Sequence, residues 1–194
     1  MIHSEAALET DAELVEALQR GDGAAAGRLY DRYAARVHRM MYRLLGRESD
    51  LEDLVQDIFV YALLSIKKLR EPAALKGWLL GVATGKARSY IRWRWRQRWL
   101  HFLPQEELHE FPVDSDPHLE LLGEVYSVLE LLPAEERIAW VLRRIEGLSL
   151  QEAANTSGVS LSTFKRRLAR AESRFDARAR LRPELVRWLD REQS

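Results

Sequence analysis

The sequence predicts an all-α protein made of two small helical domains joined by an acidic flexible linker, the C-terminal domain being a helix-turn-helix. Three observations carry this reading. Apolar residues recur at spacings of three and four along almost the whole chain, and no stretch alternates convincingly with period two. The pattern dissolves once, from His101 to Pro117, where Pro104, Pro112 and Pro117 accompany acids and no Lys or Arg occurs. Beyond it, a serine-capped helix, a Ser157-Gly158 turn and a second serine-led helix follow in close succession. The expected division is residues 1–100, a linker at 101–118, and residues 119–194.

Each element has its own signal. Leu14, Ala17 and Leu18 start a first helix. Leu29, Tyr30, Tyr33, Val37, Met40, Met41, Leu44 and Leu45 form a long second one that Gly46 ends. The third runs from Leu51 to about Leu69, Pro72 breaks the pattern, and Trp78 begins a fourth that continues into an arginine-tryptophan stretch. After the linker, Leu121, Val125, Val128, Leu129 and Leu132 make one helix. Pro133 suits the first turn of the next, which carries Ile138, Val141, Leu142 and Ile145 and stops at Gly147. A short helix from Pro183, with Leu185, Val186, Trp188 and Leu189 apolar, is expected within the tail 181–194.

Composition narrows the class. A hydrophobic content of 46% is enough to fill a core. The absence of cysteine excludes disulfide frameworks, thiolate zinc sites and cysteine nucleophiles, and suits a reducing compartment. The opening MIHSEAALETDAEL is acidic without an apolar core, unlike a signal peptide. Apolar runs such as Trp78 to Ala83 are too short to span a bilayer. The expectation is a soluble cytoplasmic protein without membrane insertion.

A formal net charge of zero conceals alternating blocks. Residues 1–60 carry 7 basic and 12 acidic groups, and 61–100 carry 10 basic and 1 acidic. Residues 101–136 carry 10 acids and no base, and 137–194 carry 13 bases and 7 acids. With a Debye length of about 8 Å in the cell, a phosphate backbone feels the local block rather than the distant sum. Two separate segments can therefore bind polyanions.

In the C-terminal segment, Ser149-Leu150-Gln151-Glu152 is a capping box that opens a short helix. After the Ser157-Gly158 turn, Ser160 leads a longer helix on which Leu161, Phe164, Leu168, Ala171 and Phe175 share one buried stripe. Thr163, Arg167, Arg170 and Arg174 follow the same steps on another face, with Lys165 and Arg166 beside them. In a helix-turn-helix this second helix enters the major groove. Arginine can bond guanine O6 and N7 bidentately, and serine or threonine can contact base edges or phosphate. The candidate duplex-reading residues are Ser149, Ser160, Ser162, Thr163, Lys165, Arg166, Arg167, Arg170 and Arg174. The stretch LPAEERIAWVLRRIEGLSLQEAANTSGVSLSTFKRRLARAESRF resembles the C-terminal domain of extracytoplasmic-function (ECF) sigma factors, and the resemblance implies recognition of the minus-35 promoter element. Response-regulator output domains have a similar reader, so the N-terminal half decides between them.

There, Asp50, Asp53 and Asp57 flank the apolar stripe of Leu51, Leu54, Val55 and Ile58, with Glu52, Gln56 and Phe59 beyond. On its own such a face is an ordinary solvated helix surface that could also dock a basic partner. The segment resembles the polymerase-binding helix of the same sigma family, with its Asp-Leu-Val-Gln-acid-x-Phe signature. The resemblance implies that Asp50, Glu52, Asp53, Leu54, Gln56, Asp57 and Phe59 bind core RNA polymerase, through clamp helices of its largest subunit. Next, Lys67, Lys68, Arg70 and Lys76 surround a loop, and Lys86, Arg88, Arg92, Arg94, Arg96 and Arg98 lie on the fourth helix, interleaved with Trp93, Trp95 and Trp99. Cations neutralise phosphate and aromatic faces stack on unpaired bases, a mixture suited to melted DNA. The resemblance implies contact with the minus-10 element by Lys67, Lys68, Arg70, Lys76, Lys86, Arg88, Arg92, Trp93, Arg94 and Arg96. Trp78 is expected in the core.

The resemblance runs from about residue 12 to 178. It implies a factor that brings core RNA polymerase, through its beta and beta-prime subunits, to promoter DNA and directs initiation in a stress or envelope-signal response. It also implies an anti-sigma factor partner and an acidic linker that threads towards the RNA exit path and mimics nucleic acid. The chain departs from the family at Val82-Ala83-Thr84-Gly85, where Ile-Ala-Arg-Asn is usual, and Gly77, Gly81 and Gly85 four apart suggest a close helix crossing. A rival reading is a one-component regulator that binds duplex DNA without polymerase, which would have no use for the Asp-Leu-Val-Gln face. No catalytic residue, metal site or cofactor is expected: the Gly85-Lys86 pair lacks the remainder of a phosphate loop, and His101, His109 and His118 match no metal spacing.

Overall fold

The structure, a computed structural model, describes residues 9–46, 50–101, 117–183 and 185–186, with the backbone alone for 98–101 and 117–122. Among these residues there is helix and no strand. Helix α1 (Asp11–Arg20) opens on a capping box between Thr10 and Glu13 and closes on Gly21 in the left-handed conformation, φ 83°. Helix α2 (Gly23–Leu45) is capped by Asp22 and ends at Gly46, which also adopts φ 83°. Its inward stripe buries Leu29, Tyr33, Val37, Met40, Met41 and Leu44. The Tyr33 hydroxyl donates to Asp11, so α1 and α2 are joined by a polar contact at the edge of their apolar one.

Helix α3 (Leu51–Ser65) is shorter than its apolar pattern suggests, because the chain tightens into a 3₁₀ turn at Ile66–Lys68. Gln19 of α1 donates to the carbonyl oxygens of Ile66 and Leu69 at 3.2 and 3.1 Å, holding that turn. A second turn at Pro72–Ala74 leads into α4 (Leu75–His101), which begins three residues before Trp78. At 27 residues, α4 extends about 40 Å at 1.5 Å per residue.

The second half contains α5 (Pro117–Glu130), α6 (Ala134–Trp140), α7 (Leu150–Ser157) and α8 (Leu161–Ala179). Pro133 precedes α6, whose last turn widens to π-helical geometry over Val141–Ile145, with the Glu146 N–H donating to the Val141 carbonyl. Trp140 of α6 stacks on Phe175 of α8, ring centroids 4.5 Å apart at 26°. Ser149 and Glu152 complete the reciprocal capping box of α7. Gly158, φ 68°, reverses the chain, and the Ser160 hydroxyl accepts from the Thr163 N–H to start α8.

The two halves pack on one another, and their buried side chains belong to one continuous cluster. Helix α4 crosses α6 and α7, α2 meets the π-helical turn, and Tyr42 meets Tyr126 edge-on at 5.7 Å. Arg43 pairs with Glu146 at 2.7 Å, and the glutamate side chain is only 8% exposed. The linker residues 102–116 and the tail residues 187–194 lie outside the described residues. Of the three spaced glycines, only Gly81 faces another helix, where an added Cβ would stand 3.6 Å from the Thr156 carbonyl oxygen. That is ordinary van der Waals contact, and Gly77 and Gly85 face open space. The close crossing expected from the glycine spacing is therefore absent at Gly77 and Gly85.

Candidate nucleic-acid and polymerase interfaces

On α3 the period of 3.6 turns Leu51, Val55, Ile58, Phe59 and Ala62 inward and leaves Glu52, Asp53, Gln56 and Asp57 exposed, with Asp50 exposed at the N-cap. Leu54 is half-buried at the boundary. Phe59 departs from the expected docking face: it is 5% exposed and packs against Tyr30, centroids 4.9 Å apart. The contact between α2 and α3 is wide enough to take Phe59 as well as Val55, Ile58 and Ala62. The exposed carboxylates are partly engaged, Glu52 with His38 at 2.9 Å and Asp57 with Lys86 at 2.9 Å. Sequence reasoning missed the apolar end of this helix, where Val60, Tyr61 and Leu64 are 49, 56 and 82% exposed. A signal was present, since the Val60-Tyr61-Ala62-Leu63-Leu64 run is apolar on more sides than one packed stripe can bury.

Lys67, Lys68, Arg70 and Lys76 are exposed around the turns between α3 and α4. Along α4, Trp93 and Trp95 are 45 and 41% exposed, and Arg92 and Arg96 lie on the surface beside them. Trp93 leans on Tyr90, centroids 5.6 Å apart. Trp78 packs partly buried against the core, as its position in the pattern suggests. The side chains of Arg98 and Trp99 lie outside the described residues. Thr84, the departing residue, is 1% exposed, and its hydroxyl donates back to the Leu80 carbonyl at 2.8 Å. It faces the core instead of a surface. A groove of about 900 Å³ is lined by α3, α4 and α7 beside the contact of α4 with α7, with Ile58, Tyr61, Trp78 and Gly85 among its walls.

The α8 surface divides into two. Ser162, Lys165, Arg166 and Arg170 are exposed, with Thr163 half-buried, and the three cations make no ion pair with the described residues. Arg167 and Arg174 turn instead to α6, Arg167 to Glu135 at 2.6 Å and Arg174 to both oxygens of Glu136 at 3.0 and 2.9 Å. Ser149 and Ser160 are engaged as helix caps, their hydroxyls accepting from Glu152 and Thr163 N–H at 3.2 and 3.3 Å. Arg88 also departs from the expected surface. One guanidinium nitrogen donates to the Ser157 carbonyl at 2.8 Å, and Nε lies 3.0 Å from Glu135 in an ion pair without hydrogen-bond alignment. Glu135 and Glu136 went unremarked in the sequence because they read as first-turn acids, which any helix favours.

Two helical halves, one ending in a capped helix-turn-helix and the other carrying an acidic helix followed by an arginine-tryptophan helix, define a two-part nucleic-acid-binding protein. Comparison with known proteins sharpens this. Residues 29–97 match Sigma-70 region 2, and residues 122–175 match Sigma-70, region 4. An ECF RNA polymerase sigma-E factor of Haemophilus influenzae is 30% identical over 178 residues, covering 86% of this chain and 94% of that one. The ECF RNA polymerase sigma factor SigE of Mycolicibacterium smegmatis is 35% identical over 152 residues, and the match spans 76% of this chain but only 58% of that relative's length. In fold, the chain is similar to CnrH in its complex with the cytosolic domain of CnrY, with TM-score 0.64, 24% identity and coverage of 90% of this chain and 99% of that one. It is similar too to the sigma factor RpoE of Bartonella quintana in complex with the anti-sigma factor NepR, with TM-score 0.61, 24% identity and coverage of 83 and 96%. The chain belongs to the ECF sigma factors, a family of transcription initiation factors rather than enzymes.

Proposed function

We propose that this chain binds core RNA polymerase, recognises minus-35 and minus-10 promoter elements, and directs transcription initiation as part of a stress or envelope-signal response in the cytoplasm. The observation that carries the reading is the pairing of surfaces on adjoining helices of one half. The α3 face of Asp50, Glu52, Asp53, Gln56 and Asp57 offers acids to a basic partner. The α4 segment of Arg92, Trp93, Trp95 and Arg96 combines phosphate-neutralising cations with exposed aromatic planes for unstacked bases, Trp93 and Trp95 standing on different sides of the helix. A duplex-only regulator needs neither. In this reading Lys67, Lys68, Arg70 and Lys76 steer the melted strand, and Ser162, Thr163, Lys165, Arg166 and Arg170 read the upstream duplex. Residues 1–100 and 119–194 act as the two promoter-binding units, and the acidic stretch 101–118 runs between them along the polymerase.

Among the described residues no helix is long and apolar enough to cross a membrane, which accords with a cytoplasmic factor. The two structural neighbours were each captured with a second protein, RpoE with an anti-sigma factor, and a partner of that kind fits this chain too. In vitro transcription with core polymerase and sheared source-genome DNA tests the reading. Discrete start sites that require the chain, and vanish when Asp53 and Asp57 are both changed to Asn, are the expected outcome. Failure to co-purify with core enzyme and to initiate anywhere overturns it.

A further inference from the structure

The reach of Glu135 extends across both halves. Its Oε1 lies 2.6 Å from Arg92 and 3.0 Å from Arg88, both on α4, while Oε2 lies 2.6 Å from Arg167 on α8. One carboxylate on α6 thus gathers three guanidinium groups drawn from the two helices assigned above to different promoter elements. The halves are further joined by the Arg88 bond to the Ser157 carbonyl and by the Arg43–Glu146 pair.

We propose that Glu135 is an intramolecular phosphate mimic that latches the chain closed, withholding Arg88, Arg92 and Arg167 from DNA until a polyanion or polymerase draws the halves apart. The charge count favours a latch that opens. One negative charge faces three positive ones, so the cluster retains excess positive charge that a phosphate backbone can neutralise more completely. Arg92 is 60% exposed, so water and salt reach its pair with Glu135, while Arg88 and Arg167, 24 and 27% exposed, are more shielded. Glu135 stands in the first turn of α6, where an acid is favoured, and its pairs with the three arginines hold it between α4 and α8. The latch rests on the assignment of these arginines to DNA, and the test separates the two.

The chain has no cysteine, so Ala35→Cys and Ala177→Cys, exposed on α2 and α8, give a donor-acceptor dye pair across the halves of the full-length protein. Glu135→Gln keeps the side-chain size and removes the charge. The expected result is lower energy transfer, together with at least tenfold tighter binding of a labelled random-sequence 40-base-pair duplex at 50 mM salt. The slope of log affinity against log salt should steepen by about 0.9 for each arginine freed. Glu172→Gln, which removes only the pairing with Arg144 inside the second half, should change neither measurement. Unchanged energy transfer in Glu135→Gln, with native helicity by circular dichroism, overturns the latch. Lower transfer without a gain in duplex affinity overturns it through the DNA assignment on which it rests.

Discussion

Gly85 illustrates how a residue choice can be odd locally and harmless globally. It sits inside α4 with nothing within 4 Å of where a Cβ would be. The cost is therefore backbone entropy alone, and Gly85→Ala should raise stability by about 0.5–1 kcal/mol, read as a shifted urea midpoint with an unchanged slope. Glu152 acts in the opposite way, through a specific bond. Its carboxylate accepts from the Ser149 N–H at 2.9 Å, and hydrogen bonds from the Ser149 side chain and backbone hold its pKa below the ordinary 4.5. A depressed folded value means that the stabilisation is present above the unfolded value and is lost as pH falls through the folded one. Glu152→Gln can still accept from the Ser149 N–H but cannot titrate. In thermal melts from pH 7 to pH 3, the advantage of the native chain over the variant should shrink only below about pH 4.5.

At the scale of the element, the helix-turn-helix is built from local chemistry. Ser149, Gly158 and Ser160 each act on backbone groups within three residues or at a single left-handed position, so the sequence shows the start, turn and restart of α7 and α8 directly. Ser160→Ala removes the acceptor for the Thr163 N–H and should cost about 0.5–2 kcal/mol in urea unfolding. It should also weaken duplex binding, because Ser162 and Thr163 ride on the turn that the cap holds. Helix α3 was legible as an amphipathic helix but less so in its details. The spacing of Phe59 from Gln56 and Glu52 suggests a shared outer face, yet Phe59 is inward because Tyr30 of α2 offers it an aromatic contact. Helical period assigns faces, while the width of a buried face depends on the neighbour that arrives.

For the molecule as a whole, the consequential contacts join distant parts of the chain. Arg43 and Glu146 are 103 residues apart, and Arg43→Ala would leave an almost buried carboxylate without its guanidinium. The expected cost is about 1–3 kcal/mol in denaturant unfolding, with increased separation of the halves by small-angle scattering. No window of sequence contains such a pair. Periodicity, capping serines, turn glycines and the alternating charge blocks determined by themselves the helices, the helix-turn-helix and the two cationic segments, because each depends on interactions within a few residues. Tertiary structure alone decided which cations stay free and which are engaged. Arg170 remains on the surface while Arg88, Arg92 and Arg167 meet Glu135, because a long-range ion pair is set by how whole helices pack and not by the residues flanking either partner.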